Sequence, residues 1–186
     1  MEIVSRYHLT EDEMLSEQKQ VTAAKTNPEK FEPLYSKYYE PVFRFIYQRL
    51  DSKETAFDIT QQVFLNALLH LKKYEYRGLP FSAWLYRIAL NELNQYFRKY
   101  KKERTLNVDI DSVSEMAVEM EEESSEEKIN QVIHAVSMLP EDEMQLVEMR
   151  YFEKYSFREI GDVLNITENN AKVRLYRSLD KIKKFI

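Results

Sequence analysis

Glycine occurs at only two positions in 186 residues, Gly78 and Gly161, and proline at five. A large sheet protein needs many residues that tolerate or preset sharp turns, so this chain is poorly supplied for one. Between the few breaks, apolar residues recur at steps of three and four, the period of one helix face. From Phe31 to Leu50 the stripe is Phe31, Leu34, Tyr38, Val42, Phe45 and Ile46, with Pro41 expected to kink or split the helix. Asp51-Ser52 can end that helix and cap the next, which is expected from about Lys53 to Tyr74 with Phe57, Thr60, Phe64, Leu68 and Leu71 inward. Ser82 is placed to cap a third helix from Ala83 to about Lys102, with Trp84, Ile88 and Leu93 or Phe97 inward. Short connections between such helices predict a small bundle over residues 29–102. Residues 1–28 are polar and weakly helical, break at Pro28, and read as a loosely packed N-terminal extension without an assigned role.

The net charge of −5 hides a segregation. From Thr105 to Glu127 there are nine acidic residues and no basic one; the rest of the chain holds 27 basic against 23 acidic residues. Leu71–Arg104 carries nine Lys/Arg against three Asp/Glu, and Arg150–Ile186 nine against five. Local charge governs binding more than the sum, so two basic regions flank an acidic one. The run Glu121–Glu127 offers nothing to a core, and self-repulsion is expected to keep it extended. Residues 103–128 therefore read as an acidic flexible linker. Beyond it, Ile129–Met138 reads as a helix, and Pro140 opens another that runs to about Phe152. Ser156 caps Phe157–Leu164, and a last helix runs from Glu168 to about Lys184. The expected fold is all-α, with two small helical domains, 29–102 and 129–186, joined by the linker. The lack of cysteine excludes disulfides, thiolate metal sites and cysteine nucleophiles. With no apolar run of membrane-spanning length and no signal-peptide pattern, the chain is expected to be soluble and cytoplasmic, without membrane insertion.

The segment Tyr155–Lys184 has the parts of a helix-turn-helix. Two short helices crossing near a right angle need a small residue in the first and apolar anchors on both sides of a short turn. Gly161 is small, Ile160, Val163 and Leu164 are anchors, and Ile166 plugs the turn. Ala171, Leu175, Ser178 or Leu179, and Ile182 give the second helix an inward stripe. Its outward face then holds Asn169, Asn170, Lys172, Val173, Arg174 and Arg177. Side chains near the start of such a helix reach base edges in the major groove, and later Arg and Lys hold phosphates. The plain alternative is a helical hairpin with a solvated basic face.

Two further patterns lie in the first domain. Asp58, Gln61, Gln62 and Leu65 fall at i, i+3, i+4 and i+7 of one helix, a polar stripe with an apolar edge that suits docking to a partner helix. On its own this stripe reads as an ordinary solvated face rather than a docking surface. Downstream, Tyr74–Trp84 interleaves aromatics with Arg77, and the next helix continues with Arg87, Asn91, Arg98, Lys99, Lys101 and Lys102. Rings for base stacking and cations for phosphates are what a single strand requires. The alternative places the aromatics in the core.

These runs together resemble the sigma factors of bacterial RNA polymerase, in the compact extracytoplasmic-function (ECF) group. Asp58-Ile59-Thr60-Gln61-Gln62-Val63-Phe64 is similar to the family's region 2.2 signature D-x-x-Q-E-x-F, with Gln62 at the acidic position. Phe81–Asn91 is similar to F-x-x-W-L-x-R-I-A-x-N, with Leu90 and Gln95 where Arg and Asp are usual. Tyr155–Lys184 resembles the region 4.2 helix-turn-helix, with Glu168-Asn169-Asn170 where small residues are usual. The resemblance implies that Asp58, Gln61, Gln62 and Leu65 dock on the clamp helices of the largest subunit of core RNA polymerase. It implies that Tyr76, Arg77, Gly78 and Phe81 form a loop that captures an extruded base of the −10 element. Arg87, Asn91, Arg98, Lys99, Lys101 and Lys102 would hold that strand. Thr167, Asn169, Asn170, Lys172, Val173, Arg174 and Arg177 would contact the −35 element of promoter DNA. The family often has an anti-sigma antagonist, which this sequence does not identify.

Two other classes compete. An autonomous helix-turn-helix regulator would bind DNA without polymerase, as a dimer on a palindrome, with residues 1–102 for dimerisation or sensing. A carboxylate-bridged metalloenzyme would need Glu-x-x-His pairs. Ser5, Ala67 and Gln131 stand three positions before the three histidines, and no phosphate-cradling glycine loop occurs. No enzyme activity, cofactor or metal is expected.

Overall fold

A computed structural model describes residues 9–100, 110–120 and 125–186, and among these there is helix but no strand. The chain divides into two compact units, one containing described residues 9–100 and the other 110–120 and 125–186.

The first unit opens with α1 (Glu11–Thr26). Thr10 and Glu13 form a capping box, Glu13 N–H donating to Thr10 Oγ1 at 3.3 Å and Thr10 N–H to Glu13 Oε2 at 2.7 Å. Val21, Ala24 and Glu17 of this helix are buried, so the segment expected to pack loosely is part of the core. A short 3-10 turn at Pro28–Phe31 leads into α2 (Glu32–Tyr47), which runs unbroken through Pro41. Burial of Leu34, Tyr38, Val42, Phe45 and Ile46 on both sides of the proline holds the helix together. Ser52 caps α3 (Lys53–His70), receiving Thr55 N–H at 3.2 Å.

The buried face of α3 differs from the expected one. Ala56, Ile59, Thr60, Val63, Phe64 and Ala67 are buried, whereas Phe57 is 40% exposed and Leu68 only half-buried. The alanines let neighbouring helices approach closely, and the Phe57 ring lies at the surface against Phe43 of α2, 4.6 Å between centroids. In α4 (Phe81–Tyr100) the face is likewise rotated. Phe81, Leu85, Tyr86, Ala89, Leu90 and Leu93 are buried, and Trp84, Ile88 and Phe97 are at the margin. Ser82 is buried inside the first turn rather than capping it.

The second unit begins earlier than the charge pattern suggests. Residues Ile110–Glu119 form α5, whose Val113, Met116 and Ala117, with Met120 just beyond, are fully buried. This corrects the reading of 103–128 as linker throughout: apolar residues at i, i+3, i+4 and i+7 outweigh the acidic ones between them. The Glu121–Ser124 part of the acidic run lies outside the described residues. Ser125 caps α6 (Glu126–Ser137), and α7 (Glu141–Val147) continues into one wide π turn at Glu148–Phe152. Lys154, at φ 59°, ends that turn and leads into α8 (Phe157–Leu164) and α9 (Glu168–Lys183).

Candidate nucleic-acid interface

The geometry of α8 and α9 is set by three local devices. Ser156 and Glu159 form a capping box at the start of α8, with Ser156 N–H to Glu159 Oε2 at 2.8 Å and Glu159 N–H to Ser156 Oγ at 3.2 Å. Asn165 ends α8 in the left-handed region at φ 55°, which asparagine tolerates better than most residues. Thr167 caps α9 by receiving Asn170 N–H at 3.2 Å. At the crossing, a Cβ on Gly161 would sit 2.8 Å from the Ile166 carbonyl oxygen and 3.1 Å from the Glu168 nitrogen. Only glycine allows α8 and the turn to meet there.

With Ala171, Leu175, Ser178, Leu179 and Ile182 all buried, α9 presents Asn169, Asn170, Lys172, Val173, Arg174 and Arg177 to solvent, and the capping Thr167 is exposed as well. Arg174 Nε donates to Asn170 Oδ1 at 3.0 Å, one turn earlier on the same face. That bond uses Nε, while the Nη pair is the part of a guanidinium that matches guanine O6 and N7. Tyr176, also exposed, donates to Glu119 of α5 at 3.3 Å. Burial and the Glu119 carboxylate raise the ionisation of Tyr176 above the usual tyrosine range. The sequence gives no hint of this role for Glu119, which stands among the acidic residues of the expected linker.

In the first unit, the segment from Tyr74 to Phe81 turns over Gly78, whose φ of 70° suits a residue without Cβ. Arg77 is exposed and Tyr76 half-exposed. Phe81 is different: it is 1% exposed, enclosed by the rings of Phe31, Tyr38, Tyr74 and Trp84. Its side chain is therefore core, and its expected place in base capture is corrected to that of an anchor at the end of the loop. Along α4, Asn91, Arg98 and Lys99 are exposed and Arg87 is half-buried. Lys101 and Lys102 lie outside the described residues.

On α3, Asp58, Gln61 and Gln62 are exposed and Leu65 is 49% exposed, so the proposed stripe is a surface in fact as well as in pattern. It is not an isolated one. Gln62 Nε2 donates to Asn66 Oδ1 at 3.2 Å, and Asn66 Nδ2 donates to Glu92 Oε1 of α4 at 2.8 Å. Asp58 and Gln62 share an open groove between α3 and α4 with Glu92, Tyr96, Arg98 and Lys99. The acidic and amide residues of one candidate site thus face cations assigned to another.

Two residues outside every sequence motif complete the first unit. Glu17 of α1 is 4% exposed; Phe81 N–H donates to its Oε2 at 2.6 Å, and Lys37 Nζ and Tyr38 OH donate to its Oε1. Burial and this carboxylate push the Tyr38 hydroxyl far above the usual tyrosine range. Lys25, two turns along α1, donates to the Tyr74 carbonyl at 2.5 Å and stands over the Tyr74 ring. Both contacts join residues tens of positions apart, so no local spacing signals them.

Comparison with known proteins agrees with this arrangement. Residues 34–103 match the family Sigma-70 region 2, and residues 129–182 match Sigma-70, region 4. The ECF RNA polymerase sigma factor SigM of Bacillus subtilis is 30% identical over 152 residues, covering 81% of this chain and 91% of SigM. The ECF RNA polymerase sigma factor BldN of Streptomyces coelicolor is 30% identical over 159 residues, covering 84% of this chain and 60% of BldN. Among solved structures, CnrH in complex with the cytosolic domain of CnrY has a similar fold, with a TM-score of 0.61 at 16% identity over 91% of this chain and 96% of that one. No described helix is long and apolar enough to cross a membrane. Both matched regions in order, and an ECF relative aligned over nearly its whole length, show that the chain belongs to the ECF group of RNA polymerase sigma factors, which bind core RNA polymerase and direct it to promoters.

Proposed function

We propose that the three surfaces divide the work of promoter-specific initiation. The exposed face of α9 reads or clamps −35 DNA through Asn169, Asn170, Lys172, Val173, Arg174 and Arg177, with Thr167 setting its N-terminus. The loop carrying Tyr76, Arg77 and Gly78 receives a melted −10 base, and Arg87, Asn91, Arg98 and Lys99 hold the strand. Asp58, Gln61, Gln62 and Leu65 dock on the clamp helices of the polymerase. The observation that carries this reading is the capped, glycine-fixed crossing of α8 and α9, which leaves five polar or basic side chains and Val173 on one open face. A hairpin with a merely solvated face has no need of so tight a crossing. The protein acts as a transcription initiation factor rather than an enzyme in this reading, and it acts in the cytoplasm, where polymerase is.

The direct test is run-off transcription from a pool of genomic promoter fragments with core polymerase, with and without the protein. Discrete new transcripts are expected only when both are present. Selection of duplex sites by the protein alone, unaltered by core enzyme, would favour an autonomous regulator instead.

A finer test concerns Arg174. If its Nη pair contacts guanine, Arg174→Ala costs about 1–3 kcal/mol at one base position and relaxes specificity there. This is measured by comparing holoenzyme binding to promoters substituted singly through the −35 element. An equal loss on every sequence would reassign Arg174 to a phosphate.

A further inference from the structure

The matched region 2 begins at residue 34, yet the loop proposed to hold the melted base is fastened at both ends by α1, which lies upstream of that match. At one end the Lys25 ammonium binds the Tyr74 carbonyl, 2.5 Å away. At the other the Glu17 carboxylate binds the Phe81 amide, 2.6 Å away. That amide is at the first residue of α4, where backbone donors have no partner within the helix. An ionised acceptor there makes one of the stronger kinds of hydrogen bond. Glu17 is itself held by Lys37 and Tyr38 of α2, so the anchor is fixed to the bundle rather than to a mobile arm. The two anchors are eight residues apart on one helix, about 12 Å along its axis at 1.5 Å per residue.

We propose that Glu17 and Lys25 are positioning residues for −10 recognition, with α1 as a rigid ruler that sets the separation of the two ends of the Glu75–Pro80 loop. The inference rests on the reading of that loop as the base-capturing element. Six residues lie between the anchored groups, and Gly78 supplies the one left-handed bend among them. With both ends fixed, Tyr76 and Arg77 keep one geometry before DNA arrives, and less order has to be imposed on binding. A flipped base demands this, because unstacking is repaid only by contacts formed in a fitted pocket. Neither residue touches the strand. Each acts through the backbone of the loop, which is why neither belongs to a recognisable motif.

The test uses the full chain loaded on core polymerase and non-template-strand −10 oligonucleotides from a promoter that the holoenzyme selects in the run-off experiment. Each position is substituted in turn, and discrimination is the ratio of affinities for the selected and the substituted base. Lys25→Met and Glu17→Ala are compared with Tyr76→Ala and Arg77→Ala in the loop itself. Discrimination per recognised position typically runs roughly 5- to 150-fold. It is expected to fall about tenfold at the same position in the loop variants and in the α1 variants, while core binding and −35 protection stay within about twofold of the wild type. Lys25→Arg, which can still reach a carbonyl, is expected to restore it. Lys25→Met keeps the test open if Glu17→Ala fails to fold, since Lys25 is only half-buried and removing it deletes one anchor. If the loop variants lose discrimination and the α1 variants keep it, the ruler is wrong and the loop reading stands. If the loop variants keep it, the loop reading fails and the ruler with it. If the α1 variants weaken core binding and −35 protection as much as −10 discrimination, their role is only structural and the proposal is overturned.

Discussion

Gly161→Val is expected to abolish −35 recognition while leaving attachment to core polymerase nearly unchanged. A Cβ at this position meets the Ile166 carbonyl oxygen at 2.8 Å, the Glu168 nitrogen at 3.1 Å and the Thr167 carbonyl carbon at 3.3 Å. All three are backbone atoms of the turn, so no side chain can swing aside to make room. The turn is also pinned to α8 by the Ile166 N–H, which donates to the Gly161 carbonyl at 2.8 Å. Overpacking a close contact costs about 1–3 kcal/mol. For Gly161→Ala, the better helix propensity of alanine offsets up to about 1 kcal/mol of this. Valine adds two methyl groups at the same point with a smaller propensity gain, so its clash is the less compensated. Small units hold only a few kcal/mol in total, and each kcal/mol moves the melting temperature of one this size by roughly 4–8 °C. The C-terminal unit of the valine variant should therefore melt lower, by roughly 4–24 °C for a clash of about 1–3 kcal/mol. Footprinting of holoenzyme should lose protection at −35 but keep it near −10. Full −35 protection by Gly161→Val holoenzyme would show that the crossing of α8 and α9 does not shape the reading face.

The helix-turn-helix was legible because its determinants are local. The cap at Ser156, the small Gly161, the plug at Ile166 and the buried stripe of α9 all lie within thirty residues, and the periodicity alone placed Ala171, Leu175 and Ile182 inside. The bundle was legible in outline but not in detail. Periodicity selects a face of a helix by its largest apolar residues, and α3 buries alanines while leaving Phe57 at the surface against Phe43. The same bias favours Trp84 over the smaller Leu85, although Leu85 is the fully buried one. Phe81 fits a nucleic-acid loop on sequence because aromatic rings serve bases and cores equally well; of its four ring neighbours only Trp84, one turn along α4, and Tyr74 are near in sequence, and folding brings in Phe31 and Tyr38 from the turn before α2 and from α2. In α5 the acidic residues mask the apolar ones. Counting charge over 105–127 concealed Val113, Met116, Ala117 and Met120, a sufficient helical stripe. The Glu17 and Lys25 contacts had no sequence signal at all, because a carboxylate at an exposed-looking helix position is ordinary until its partner is known.

The double substitution Gln61→Ala and Gln62→Ala is expected to weaken association with core polymerase at least about tenfold, and adding Leu65→Glu should reduce it further. Few residues of an interface cost more than about 1 kcal/mol when truncated, and those that do cluster centrally. A tenfold loss corresponds to about 1.4 kcal/mol, within reach of two central amides. Alanine is a better helix former than glutamine, so α3 itself is not weakened. Leu65 is 49% exposed with no core role to lose, and a carboxylate there opposes burial against a partner helix. The competing explanation is indirect. Gln62 is hydrogen-bonded to Asn66, which reaches Glu92 of α4, and the groove they line also holds Arg98 and Lys99. Removing Gln62 could loosen that wall and impair strand binding instead of docking. The two effects separate at saturating core enzyme: a docking defect is overcome by concentration and leaves −10 strand affinity intact, whereas a loosened groove lowers strand affinity at every concentration. Co-purification at the wild-type level would remove the stripe from the docking surface. Because Gln61 does not line the groove, Gln61→Ala alone should show the docking defect without any change in strand affinity.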